Sequence, residues 1–151
     1  MLSNLYQEMI LDHNNNPRNQ GQLVNNTHTK IGHNPLCGDK IEVFLIVENE
    51  IIKDIKYASS GCAISTASAS IMSLIAKGKS IQHIKELKDK IHKVFLKGVT
   101  SLSQEEIDSL PPKILALEGV SNFPARVKCA SLAWHTLDCA FENNNQAYTD
   151  E

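Results

Sequence analysis

Near the start of the chain, apolar residues recur at helical spacing (Leu2, Leu5, Met9, Ile10) until Asn14-Asn15-Asn16-Pro17 interrupts them. This predicts a short N-terminal helix. After the polar stretch Arg18 to Asn26, Thr27 to His33 alternates loosely and reads as an edge strand. The period then settles at two. Ile41, Val43, Leu45 and Val47 share one face, Glu48-Asn49-Glu50 makes a turn, and Ile51, Lys53, Ile55 and Tyr57 resume the alternation. The prediction is a hairpin, completed to three antiparallel strands by the segment before it.

From Cys62 the pattern becomes helical. Ser59, Ser60 and Gly61 offer capping chemistry, Ile64, Ala67, Ile71, Leu74 and Ile75 form one stripe, and Gly78 is placed as a stop. Ser80 can cap a short helix through Leu87, and Ser103-Gln104-Glu105-Glu106 matches a capping box. Pro111-Pro112 interrupts before a helical segment from Lys113 to Glu118 that runs into Gly119. The last helix is expected to begin near Cys129, to carry Leu132, Ala133, Thr136, Leu137 and Ala140, and to give way to a polar tail, 143–151. Together these elements predict an α+β fold: a three-stranded antiparallel sheet with helices packed mainly on one face, over a single domain spanning 1–151.

Composition narrows the function. The chain has 151 residues, 42% of them hydrophobic, enough for one well-buried domain built from Ile, Leu, Val and Ala, because only 5% are aromatic. A formal charge of −2 argues against nucleic acid as a partner. Seven lysines lie between Lys77 and Lys97 against Glu86 and Asp89, a pattern read first as a solvated helix face and second as a dock for an acidic partner. No apolar run approaches the ~18 residues that span a bilayer, and the first residues lack a signal-peptide pattern. The expected location is therefore cytoplasmic, with no membrane partner. In that compartment the four cysteines are read as thiols or metal ligands rather than as a disulfide framework.

Three of the cysteines stand in polar or glycine-containing segments: Asn34-Pro35-Leu36-Cys37-Gly38-Asp39, Ser60-Gly61-Cys62-Ala63-Ile64-Ser65 and Arg126-Val127-Lys128-Cys129-Ala130. Cys37 and Asp39 flank a glycine just before a strand, so one tight turn can aim both at a common point. Cys62 is expected at a helix start, where unpaired amides favour the thiolate. Cys129 is read in the same way, with Arg126 and Lys128 as cationic neighbours that offset the negative charge of the site. Three thiolates and a carboxylate would close a tetrahedral site for a borderline-soft ion such as Zn²⁺. Spacing alone leaves open three unrelated reduced thiols.

The same segments resemble the IscU/SufU family of iron–sulfur assembly proteins, the NifU N-terminal-like group, and specifically its SufU-type branch. Leu5-Tyr6 with Ile10-Leu11-Asp12-His13 and Asn16-Pro17-Arg18-Asn19 is similar to the family's N-terminal signature. The segments around Cys37, Cys62 with Ala67-Ser68-Ala69-Ser70, and Cys129 with Leu132-Ala133-Trp134 resemble its three ligand motifs. A stretch from about residue 88 to 112 is similar to the insertion that marks the branch. Lys128 occupies the position where the family's cluster scaffolds carry a histidine, and an ammonium is a poor metal ligand. The resemblance therefore implies a zinc-dependent sulfur-transfer protein. Its metal ligands would be Cys37, Asp39, Cys62 and Cys129, and Cys37 would accept sulfur from a SufS-type, pyridoxal-phosphate-dependent cysteine desulfurase. Downstream iron–sulfur assembly machinery would be the further partner. The alternative is a scaffold for a nascent [2Fe–2S] cluster, holding iron or the cluster on the same residues.

The remaining chemistry-bearing residues carry less. Cys139, ten residues beyond Cys129, would lie about 15 Å away along one helix and reads as a small buried core residue. His135 is read as a surface or packing residue, His33 as strand-end polar surface, and His13 as a hydrogen-bonding tie between the first helix and its following loop. His28, His83 and His92 carry no signal. The Ala/Ser-rich run Ala63 to Ser73 is read as a close-packing surface, and Trp134 as a packing anchor.

Overall fold

The computed structural model describes residues 2–35 and 38–142. Cys37 and the polar tail at 143–151 lie outside them. Helix α1 (Leu2–Asn15) ends where expected, before Pro17. Its inward stripe is rotated from the predicted one: Ile10 and His13 are buried and Tyr6 and Met9 pack on the core, whereas Leu5 is 55% exposed. Position 13 carries polar contacts that apolar periodicity ignores.

Strands β1 (His28–Asn34), β2 (Asp39–Glu48) and β3 (Ile51–Ser60) form an antiparallel sheet in the order β1-β2-β3, with β1 at an edge as predicted. Asn49 and Glu50 close the β2–β3 hairpin with φ of 54° and 64°, the left-handed pair of a type I′ turn. The register places Ile46 opposite Asp54 but Val47 opposite Ile52, so Lys53 is left over in a bulge. This corrects the predicted alternation. Ile55 and Tyr57 face the core as expected, but beyond the bulge Ile52 takes the inward place and Lys53 is exposed.

The core-facing side of the sheet, with Ile41, Val43, Leu45, Ile52, Ile55 and Tyr57 all fully buried, is covered by α2 (Ala63–Ala76) and α6 (Pro124–Ala140). α1 packs outside α2. α2 is buried almost all round, on Ser65, Ala67, Ser68, Ala69, Ser70, Ile71, Met72, Ser73 and Ala76. Small side chains let three neighbours approach its backbone, and two of the serine hydroxyls find carbonyl acceptors, Ser68 donating to Ala130 O on α6 at 2.6 Å and Ser73 to Ser70 O at 2.7 Å, whereas the buried Ser65 hydroxyl has no partner among the described residues. Burying an Ile such as Ile71 here contributes roughly 1.5–3 kcal/mol.

Ser80 caps α3 (Ile81–Lys97) by accepting from His83 N at 3.0 Å. The expected stop at Leu87 is corrected. Ile84, Leu87, Ile91, Val94 and Phe95 continue one buried stripe, and no breaker occurs before Gly98. A 3-10 turn (Val99–Ser101), α4 (Gln104–Asp108) with the predicted Ser103/Glu106 capping box, α5 (Pro112–Ala116) and a second 3-10 turn (Leu117–Asn122) lead into α6. α6 begins at Pro124, well before Cys129, because proline is suited to a first helical turn, where its missing N–H costs nothing.

Candidate metal centre

The β1–β2 turn is pinned at both ends. Gly38 N donates to Asn34 O at 2.8 Å, and Asn34 pairs in register with Asp39. Gly38 has φ of 72°, a conformation glycine adopts without strain. Asp39 then opens β2 with its side chain fully buried.

The end of β3 comes alongside, with Lys40 opposite Ser60, and Gly61 follows at φ 137°. A Cβ on Gly61 would run into the Asp39 carboxylate. Glycine is therefore what brings the two segments together. Asp39 Oδ1 accepts from Cys62 N at 2.8 Å, and Oδ2 lies 3.7 Å from the Cys62 thiol, which donates to it. Cys62 is itself the N-cap of α2, and its sulfur accepts from Ser65 N at 3.4 Å. The capping role expected of Ser59, Ser60 and Gly61 thus falls to the cysteine.

Cys129 reaches the same point from α6. It is 1% exposed and donates weakly to Ala125 O at 3.9 Å, one turn earlier. Its expected place at a helix start is corrected, because its amide already lies inside the helix. The ligand atoms of Asp39, Cys62 and Cys129 lie within 4.8 Å of one another, the one such group among the described residues. Two sulfurs and a carboxylate oxygen, packed where water is largely excluded, suit a borderline-soft divalent ion and leave a fourth tetrahedral position.

Charge around the group is uneven. Arg126, on the exposed face of α6, is held above its ordinary range first by the charge of Cys62 and then by a hydrogen bond to Cys129. Lys128, two residues on and therefore about 200° around the helix, lines a groove with His33, His92 and His135. Tyr6 enters the sequence reading only as part of the N-terminal signature, with no role at the site. Its ring packs on Gly119, its hydroxyl is buried with no hydrogen-bond partner among the described residues, and burial pushes its pKa up, with Arg126, Cys62 and Cys129 close enough to act on it. Tertiary packing alone puts it there.

The other expectations divide. Cys139 is exposed, not a core residue, because it falls on the outward side of α6. His135 is exposed and meets His92 edge-on at 5.9 Å. His13 ties α1 to more than the following loop: its Nδ1 is 2.7 Å from Ser70 Oγ and its Nε2 accepts from Lys113 Nζ at 3.0 Å.

With that geometry in view, the NifU-like N-terminal domain model matches residues 5–130. The chain belongs to this family. A Bacillus subtilis relative, the zinc-dependent sulfurtransferase SufU, is 41% identical over 91% of this chain and 89% of its own. The iron–sulfur cluster assembly scaffold protein IscU of Streptococcus pyogenes is 36% identical over 99% of this chain and 92% of its own. Among solved structures, a candidate iron–sulfur assembly scaffold for the SUF system from Fervidobacterium islandicum superposes with a TM-score of 0.80 at 31% identity, over 90% of this chain and 96% of that one. An N-terminal NifU-like protein from Brucella abortus, 20% identical with a TM-score of 0.78, shares the fold over 94% of this chain and 96% of its own. As a member of the NifU-like N-terminal family, the protein is an iron–sulfur assembly protein with an α+β fold. Among its described residues no helix is long and apolar enough to cross a membrane.

Proposed function

We propose that this protein is a zinc-dependent sulfur carrier for iron–sulfur assembly. The observation that carries the reading is the convergence of Asp39, Cys62 and Cys129 in a chain whose 41%-identical relative is a zinc-dependent sulfurtransferase. Asp39, Cys62 and Cys129 would hold the ion, with Cys37 as the fourth ligand. Zinc there keeps its sulfur ligands deprotonated at neutral pH.

The donor would be a SufS-type cysteine desulfurase carrying a persulfide on its own cysteine. The Cys37 thiolate attacks the outer sulfur, the donor's S–S bond breaks, and the donor cysteine leaves as a thiolate. Cys37 is then the persulfide, the proton on the outer sulfur travels with it, and no outside electron is needed. Arg126 offers a positive charge beside the thiols. Lys128 faces the neighbouring groove, which supports a role toward an incoming partner and not toward the ion.

The 36% identity to a scaffold protein favours a second reading, in which the same residues hold a nascent [2Fe–2S] cluster. Elemental analysis of protein purified without added metal separates the two. About one zinc per chain is expected, with Cys37→Ser abolishing desulfurase-dependent persulfide uptake. Iron with visible charge-transfer absorption in the fresh protein would replace the sulfur-carrier reading with the scaffold one.

A further inference from the structure

Between β1 and α6 runs a trough formed by two cavities of about 430 and 350 Å³ that share His33, Leu132 and His135. It begins at Pro35, beside the β1–β2 turn, and extends to Lys30 and Cys139. Among the described residues no acidic side chain lines either cavity. The polar groups there include the ammonium groups of Lys30 and Lys128, the Asn34 side chain, and the imidazoles of His33, His92 and His135, each able to donate from one ring nitrogen, the last two 5.9 Å apart. Apolar lining comes from the buried Val127 and Leu132 and from the half-exposed Leu96.

Two residues at this region carry buried polar atoms without partners among the described residues. The Ser131 hydroxyl, on a side chain only 6% exposed, lines the larger cavity. Trp134 Nε1, on a residue 2% exposed, has no partner either, and Trp134 lines a recess of about 10 Å³ together with Ser131, His92 and His135. That recess has room for about one water. A buried donor left unmatched costs about 1–3 kcal/mol, so such groups mark a place where an acceptor belongs.

We propose that this trough is the docking groove for an acidic, extended polypeptide segment of a protein partner. The partner's carboxylates would meet Lys128, the imidazoles and Ser131, and an aliphatic side chain would lie on Leu132 and Val127. The length of the trough, two joined cavities, exceeds what one small carboxylate fills, and Lys30 and Lys128, along a lining that holds no acidic side chain among the described residues, supply the complementarity. Only the partner's being the protein that exchanges sulfur with Cys37 rests on the function proposed above. The groove's ligand chemistry stands apart from it.

The test uses the full-length, metal-loaded protein labelled with ¹⁵N. Because the chain has one tryptophan, its indole N–H signal is a unique reporter of the recess. Titration with a synthetic peptide of alternating glutamate and leucine should shift that signal and the Ser131 amide saturably. Lys128→Glu should weaken binding at least tenfold, and Leu11→Glu, on exposed α1, should leave it unchanged. Equal binding of a lysine–leucine peptide, or no saturable shift with the acidic one, overturns the proposal. Glutarate shifting the same signals as strongly would make the groove a small-carboxylate site and overturn the docking role. In desulfurase assays Lys128→Glu should raise KM at least tenfold with kcat within twofold; a wild-type protein that binds the acidic peptide but accepts no sulfur would instead sink the functional reading and leave the groove standing.

Discussion

Gly61 is where one hydrogen atom decides whether the centre can form. Its φ of 137° disfavours any L side chain, and its Cα faces the Asp39 carboxylate. Gly61→Ala should displace that carboxylate, break its bond to Cys62 N, and cost ~2 kcal/mol or more of stability through strain and lost buried contacts. Metal content and chemical denaturation on the same preparation check this, and a variant with full metal and unchanged stability would show that Asp39 tolerates the shift. Cys139→Ser supplies the contrast. Exposed on α6 and far from the ligand group, it should retain metal and stability within about 0.5 kcal/mol. Lys128→Ala should likewise keep its metal, since the side chain lines the groove; stoichiometric loss of metal with the fold intact would make the lysine a ligand.

Among the elements, α2 holds the N-terminal half of the molecule to the centre it caps. His13 on α1 meets Ser70 on α2, and Ser70 Oγ also accepts from Arg18 N at 2.9 Å. Lys113 on α5 can only donate, so Nε2 of His13 accepts from it and Nδ1 carries the proton toward Ser70. Burial first, then Lys113 and Arg18, lowers the pKa of His13 from 6.5 to about 4. Between those values the unfolded chain binds more protons than the folded one. The contribution is therefore fully present above about pH 6.5 and is lost as pH falls toward 4, with a slope of up to about 1.4 kcal/mol per pH unit. His13→Gln should be less stable at pH 7 and should show a flatter decline over that window. Parallel wild-type and variant curves from denaturant titrations would remove His13 as the titrating group.

At the scale of the whole molecule, the centre joins three separate pieces of chain: the start of β2, the β3–α2 junction and α6. An ion bound there crosslinks the sheet to both covering helices. It stabilises only the folded state, by about 4 kcal/mol when free metal exceeds Kd a thousandfold. Chelation should lower the melting temperature markedly, and re-addition of zinc should restore it. The Asp39→Ala variant should already melt at the lower temperature and respond little to chelator. A chelator-insensitive wild type would remove the ion from the stability of the fold.

Much of this was legible in the chain. Period-two and period-3.6 patterns are local consequences of backbone geometry, so the three strands, the edge position of β1, the Ser80 cap and the Ser103 capping box could be read without knowing what lay opposite them. The same holds for Asp39, Cys62 and Cys129 as one candidate group, since their residue types and the Gly-Cys and Cys-Gly-Asp settings are local chemistry. What only the tertiary structure decided was relative position. The bulge at Lys53 arises from a cross-strand mismatch and rotates Ile52 inward, and the start of α6 at Pro124 moves Cys129 from a helix end to its second turn. Tyr6 at the thiols, Cys139 in the open and Lys128 in the groove depend on which face of each helix meets a neighbour. A sequence states which side chains a helix carries; the direction each one faces is set by packing between elements distant in the chain, a balance of buried area and satisfied polar groups that no local window contains.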